Sequence, residues 1–283
     1  MKQKKIWHEK FNKYCGQYLT IDKELYKEST KYQDLFFFKN KIFGNILSLN
    51  DVIKTTEYDE FIYNEMIVHV PMISHGSAKN ILIIGGGDGG ILRELLKYDT
   101  IKKITMVEND IKIIKYCKIY LPNSSLNSFK NSKLKLKIND GFEFIKKNKD
   151  KFDIIISDIS SKIELNSKFF SLKFYINCKK CLNNNGIFII QNGIIPIQKS
   201  MVIKNISIIK KIFNNVNLYQ TFIPSYYGGA TTFLYATNNL IKIDNEYDKI
   251  YKKFIKYKII CKYYNTLTHI NSFILPEYIL NNI

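Results

Sequence analysis

Residues Asn80-Ile-Leu-Ile-Ile-Gly-Gly-Gly-Asp-Gly-Gly90 restrict the fold of this chain more than any other stretch. Four apolar residues without polar alternation describe a strand covered on both faces, as in a parallel sheet. They stop at five glycines interrupted by one carboxylate. Gly85, Gly87 and Gly90 match G-x-G-x-x-G, and Ile91-Leu92-Arg93-Glu94-Leu95-Leu96 predicts a helix directly afterwards. Glycines there let the chain turn sharply, let a ligand approach the main chain and let the helix pack on the strand. Ile104-Thr-Met-Val107 predicts a second strand, and Glu108 follows about twenty residues after the loop, where such folds hold ribose hydroxyls. Strand, loop, helix, strand and acid in that order point to a bound nucleoside.

Asp88 is the unusual residue of the loop. A glycine loop at a helix N-terminus welcomes anions, because its free N–H groups and the helix dipole favour negative charge. A carboxylate in that place works against a phosphate or an amino-acid carboxylate and suits a ligand that is cationic at this end. Asp is also a good helix cap, and both readings stand at this point.

From residue 80 onward strand and helix patterns alternate, which predicts a parallel sheet with covering helices, an α/β fold. The later strands fall at Lys133 to Ile138, Phe152 to Ser157 and Gly186 to Gln191, with Asn215 to Tyr219 and Thr231 to Tyr235 at the edge. Asp88, Glu108, Asp140 and Asp158 each follow a strand, and ligands of open α/β sheets lie outside those carboxyl ends. Each alone is a possible cap or turn residue. Together, in a chain of net charge +18, they predict a local acidic pocket suited to a polycationic substrate.

Before Pro71 the signals are those of short strands, Cys15 to Ile21, Glu24 to Thr30, Gln33 to Lys39 and Asn45 to Ile53, forming a small antiparallel sheet. A helix is predicted from Thr56 to Val70, with Thr56 as its cap and Pro71 just past its end. The expected division is a β domain over 1–55 and a catalytic domain over 56–283.

The composition bounds the rest. No run approaches the roughly 18 apolar residues of a membrane span, and the first residues lack the apolar stretch of a signal peptide, so the expectation is a cytoplasmic protein without a membrane partner. Five cysteines scattered over 283 residues suggest free thiols. Cys178-Lys-Lys-Cys181 has no second ligand pair at zinc spacing, so no metal is expected. Arg93 is the only arginine, and lysine is spread everywhere. That predicts weak, salt-dependent adhesion to polyanions and no specific nucleic-acid partner, because forked phosphate recognition prefers arginine.

Matched blocks over nearly the whole chain resemble the polyamine aminopropyltransferases, spermidine synthase in particular. They run from Trp7-His8-Glu9 and Gly16-Gln17-Tyr18 through Tyr32-Gln33-Asp34-Leu35, Thr55 to Tyr63, Gly85 to Gly90, Val107-Glu108, Asp140-Gly141, Ser157-Asp158 and Gln191-Asn192-Gly193. They end with Pro224 to Gly229 and Tyr263-Tyr264-Asn265. The resemblance implies a Rossmann-like, methyltransferase-type parallel sheet behind a small N-terminal antiparallel β domain, in a cytoplasmic homodimer or homotetramer. It implies transfer of an aminopropyl group from decarboxylated S-adenosylmethionine, a co-substrate rather than a cofactor, to putrescine, giving spermidine and methylthioadenosine. By the same resemblance Gln33, Glu108, Asp140 and Gly141 hold the nucleoside, with Glu108 on the ribose and Asp140 on the adenine. Asp88 takes the donor's ammonium, Asp158 is the proton acceptor, and Tyr63, Asn64, Asp158, Ser161 and Tyr226 line the acceptor channel.

The sequence departs from the family after Asp158. The usual Asp-x-x-Asp-Pro and Gly-Pro turn are replaced by Asp158-Ile-Ser-Ser161-Lys162-Ile-Glu-Leu165, and Asn64 stands where His or Gln is common. Two other readings share the fold. One is an S-adenosylmethionine-dependent methyltransferase, against which Asp88 argues because that donor carries a carboxylate. The other is a decayed relative that binds the nucleoside without turnover, motivated by the altered loop.

Overall fold

The computed structural model describes residues 5–10, 14–159, 168–239 and 246–283. Ser161, expected to line the acceptor channel, lies outside them.

The N-terminal part contains six antiparallel strands in two sheets rather than the single sheet expected. A hairpin pairs β1 (Lys5–Lys10) with β2 (Gly16–Ile21), and a four-stranded meander runs β3 (Lys23–Ser29), β4 (Asp34–Asn40), β5 (Gly44–Leu49), β6 (Val52–Thr56). The stretch Asn45 to Ile53, read above as one strand, is a hairpin. Asn50 and Asp51 adopt φ values of 51° and 57°, the left-handed pair that a two-residue turn requires and that Asn and Asp tolerate.

Helix α1 (Glu60–His75) then leads into the second part. Two expectations fail here. Thr56 ends β6 instead of capping the helix, and its hydroxyl donates to Asp59 Oδ1 at 2.7 Å. Pro71 lies inside the helix, which continues to Gly76 in the left-handed conformation at φ 77°. Proline in a helix interior costs about 3 kcal/mol. The helix tolerates it because every residue from Ile62 to Ile73 is buried, so burial outweighs one lost hydrogen bond.

The second part is a seven-stranded sheet in the order β12-β13-β11-β10-β7-β8-β9. Its parallel members are β7 (Asn80–Gly85), β8 (Lys103–Glu108), β9 (Leu134–Ile138), β10 (Phe152–Asp158) and β11 (Leu182–Pro196). The edge pair β12 (Asn215–Thr221) and β13 (Gly229–Thr237) is antiparallel. Ile81 and Ile83 enter one core cluster, Leu82 and Ile84 the other, and all four are fully buried. The unbroken apolar run therefore reflects a strand packed on both faces. Helices α2 (Gly90–Leu95), α3 (Ile111–Tyr120), α4 (Pro122–Ser125), α5 (Gly141–Lys147), α6 (Leu172–Lys180) and α7 (Lys199–Ile209) cover the sheet, followed by α8 (Tyr247–Tyr257), α9 (Thr266–Ser272) and α10 (Glu277–Leu280). Among the described residues no helix is long and apolar enough to cross a membrane.

The order matters for the site. The chain runs from β7 to β8 and β9 on one side, then returns to place β10 and β11 on the other. The reversal lies between β7 and β10, where such sheets open a crevice at their carboxyl ends.

Candidate active site

At that crevice Gly85, the last residue of β7, stands in register with Asp158, the last of β10. The approach is so close that a Cβ on Gly85 would lie 2.6 Å from the Asp158 carbonyl oxygen, and Gly85 has φ 89°. Only glycine fits both constraints. The chain then turns through the glycine loop into α2, which brings Asp88 to the wall of a cavity shared with Glu108 and Asp158. Gln33, Tyr63, Asn64, Gly141 and Tyr226 line the same cavity, so the N-terminal meander, α1 and the loop before β13 close it from above.

Three of the four acids expected on this rim meet in the cavity. Asp140 is outside its lining. It caps α5, accepting the Glu143 N–H at 3.0 Å, and its second oxygen is 2.6 Å from the Lys168 ammonium. Burial pushes its carboxyl up, but Lys168 and the helix N–H groups outweigh that and hold it below the ordinary value. Its neighbour Gly141 reaches the cavity instead.

The electrostatics of the three cavity acids are alike. Burial pushes Asp158 up to about 7, and the charge of Asp88 adds to the shift. Tyr63 opposes it, donating its hydroxyl to Asp158 Oδ1 at 2.5 Å. Asp88 is pushed up to about 6 by burial and by Glu60, against a long 3.3 Å bond from the Gly90 N–H. Asp88 is thus a weak helix cap at best. Glu108 is pushed up to about 7, again mainly by burial, although backbone N–H groups of Asp110, Asn109 and Gly87 pull it back. Three carboxylates that resist ionising in one cavity are three places where a cation gains from binding.

The remaining predicted residues play supporting parts. Gln33 lies 3.4 Å from Asp110, which caps α3. Asn64 donates its amide to the Glu60 carbonyl and carboxylate at 2.9 and 2.7 Å. Glu60 is held in turn by both terminal nitrogens of Arg93, at 2.8 and 2.9 Å. The Tyr226 hydroxyl is spent on the Lys54 carbonyl at 2.6 Å, so its ring rather than its hydroxyl faces the cavity space.

Sequence reasoning missed Lys54, Asp59 and Glu60, all lining residues. Asp59 anchors the loop before β13, accepting the Ser225 N–H at 2.7 Å and its hydroxyl at 3.0 Å. The signal for Lys54 was the Asn50-Asp51 turn. Read as a hairpin, it starts a new strand at Val52 and carries Lys54 towards the crevice.

A family model for the spermine/spermidine synthase domain matches residues 60–247, and one for the spermidine synthase tetramerisation domain matches residues 6–57. The polyamine aminopropyltransferase of Buchnera aphidicola subsp. Acyrthosiphon pisum is 48% identical over 283 residues, covering 100% of this chain and 99% of its own. That of Buchnera aphidicola subsp. Schizaphis graminum is 46% identical over 287 residues, with the same coverage. A solved spermidine synthase in complex with the transition-state analogue AdoDATO superposes with a TM-score of 0.92 at 30% identity, covering 99% of this chain and 96% of that one.

Proposed function

Because the chain belongs to the spermine/spermidine synthase family, we propose that it transfers the aminopropyl group of decarboxylated S-adenosylmethionine to putrescine, giving spermidine and methylthioadenosine. The observation that carries this reading is the carboxylate of Asp88 in a glycine loop, lining one cavity with Asp158 and Glu108. A loop of this kind otherwise attracts an anion. Decarboxylation removes that anion from the donor and leaves an ammonium, which Asp88 complements. Glu108, at the end of β8, accepts the ribose hydroxyls, Gln33 and Gly141 border the nucleoside, and Asp140 turns from Lys168 to the adenine edge.

The acceptor lies beside Tyr63, Asn64, Asp158 and the Tyr226 ring. Its attacking nitrogen must first lose a proton, and for an amine with a lysine-like pKa this costs about 4 to 5 kcal/mol at neutral pH. Asp158, lifted to about 7, is matched to that task. The nitrogen lone pair forms the new C–N bond as the C–S bond breaks, and its electron pair passes to sulfur. The proton moves to the Asp158 oxygen that Tyr63 leaves free. Tyr63 fixes the other oxygen, so the base keeps one orientation. Alignment of the two substrates supplies the rest of the rate.

The N-terminal region matches the tetramerisation domain of the family, which supports assembly as a homo-oligomer. Incubation with decarboxylated S-adenosylmethionine and putrescine tests the reading: methylthioadenosine and spermidine are expected in equal amounts. Methyl transfer from S-adenosylmethionine, or nucleoside binding with no product, overturns it.

A further inference from the structure

Lys54 is the only lysine or arginine among the described residues that line the cavity, and it runs against a cationic ligand. It sits at a bulge of β6, between Ile53, paired with Ser48 of β5, and Thr55, paired with Leu47, and its carbonyl accepts the Tyr226 hydroxyl at 2.6 Å. Its ammonium is drawn by Asp158 across the cavity and by Glu9 from β1. Glu9 is buried and already accepts from the Ile53 N–H at 3.1 Å and from Gln17 at 2.5 Å. Among the described residues the other ionisable groups around the same space are Asp88 on the glycine loop, Glu108 at the end of β8, Asp59, Glu60 and Tyr63 at the start of α1, and Tyr226. β5 brings none.

Resting on the aminopropyl-transfer reading, we propose that Lys54 is a specificity-determining residue for the acceptor, and that a diamine binds by displacing the Lys54 proton. An ammonium arriving at Asp158 takes over the carboxylate that stabilises the Lys54 charge and adds a like charge beside it. Both changes disfavour the protonated lysine. Burial has already lowered Lys54 to about 8, with Asp158 and Glu9 opposing the fall, so the proton is poised to leave near neutral pH. With a free-site value of about 8, about one tenth of the molecules carry neutral Lys54 at pH 7 and about nine tenths at pH 9. The apparent acceptor affinity then rises about tenfold over that interval.

Calorimetric titration of putrescine into enzyme saturated with methylthioadenosine, at pH 8 in two buffers of different ionisation enthalpy, counts the protons released. At pH 8 Asp158 is mostly ionised and contributes little. The wild type is expected to release about half a proton per diamine. Lys54→Met, which has no proton to lose, and Lys54→Arg, which keeps its proton, are both expected to release far less. In steady state the putrescine KM of Lys54→Met lies below that of the wild type at pH 7, and the two converge by pH 9. Lys54→Arg stays high throughout. Equal proton release in wild type and Lys54→Met, or a Lys54→Arg variant that binds putrescine like the wild type, overturns the inference. The titrations use no donor. Proton release without spermidine formation would sink the proposed function alone, and turnover without a Lys54-dependent proton would sink this inference alone.

Discussion

Asp88→Asn is expected to stabilise the ligand-free protein while damaging its site. The substitution keeps the shape and the acceptor oxygen for the Gly90 N–H, and removes one charge. Burial and Glu60 lift the Asp88 carboxyl from 3.8 to about 6 in the fold. A group raised in this way gives its full stability below the unfolded value and loses it as pH rises through the folded one. Between pH 4 and pH 6 the folded wild type therefore gives up about 3 kcal/mol at 1.36 kcal/mol per unit. Asp88 is only half-buried, so solvent screening reduces this to about 2 kcal/mol. Removing Asp88 also relieves Asp158, for which the Asp88 charge is the second cause of its shift. At pH 8 the variant should melt about 5 °C above the wild type, and at pH 4 the two should converge. Melting curves at the two pH values, with urea unfolding as a second measure, test this. A variant no more stable than the wild type at pH 8, or equally stabilised at both pH values, would show that Asp88 is not held in the cavity as an unmet charge.

Three further outcomes follow from the same geometry. Asp158→Asn should lower kcat by about 10² or more in steady-state assays with donor and putrescine, while methylthioadenosine affinity by calorimetry stays near that of the wild type. Tyr63→Phe removes the hydrogen bond that holds Asp158 down, so the acidic limb of the kcat/KM profile, set by a base that must be ionised, should move to higher pH than the wild type's limb near 7. Gly85→Ala forces a Cβ to 2.6 Å from the Asp158 carbonyl at φ 89°, and should cost about 1 to 3 kcal/mol in urea unfolding and most of the activity.

The central sheet was legible because its signals are local and redundant. Ile81 to Ile84 carry no polar residue, the glycines cannot be read as helix or strand interior, and Glu108 follows at the spacing the fold demands. The acidic cavity was legible for the same reason, since residues at strand ends of a parallel sheet gather on one rim. What failed depends on contacts distant in sequence. Pro71 looked like a helix end because its cost is local, whereas the burial that outweighs it comes from the core cluster on one face of the sheet, which also takes in Ile250, Ile259 and Tyr264 from far along the chain. Asp140, expected on the same rim by its position after β9, is held in the ligand-free chain by Lys168, 28 residues away, and lies just outside the cavity lining beside Gly141. Lys54 was invisible because its importance arises only when the N-terminal meander closes over the cavity at the carboxyl end of β10.

The most direct measurement of the account is the affinity of the wild-type protein, and of Asp88→Ala, for three ligands: decarboxylated S-adenosylmethionine and S-adenosylmethionine, which differ only by the carboxylate at the end facing Asp88, and methylthioadenosine, which lacks that end and the sulfonium charge. Calorimetry should place the decarboxylated donor ahead of methylthioadenosine by at least about 1.5 to 3 kcal/mol, the worth of a charge-assisted hydrogen bond, with the sulfonium charge adding to it. The same experiment should put S-adenosylmethionine well behind the decarboxylated donor, because its carboxylate meets Asp88. In Asp88→Ala the first gap should narrow by about 1.5 to 3 kcal/mol. Binding of S-adenosylmethionine as tightly as its decarboxylated form, or a gap to methylthioadenosine that is unchanged in Asp88→Ala, would contradict the claim that this carboxylate reads the cationic end of the donor.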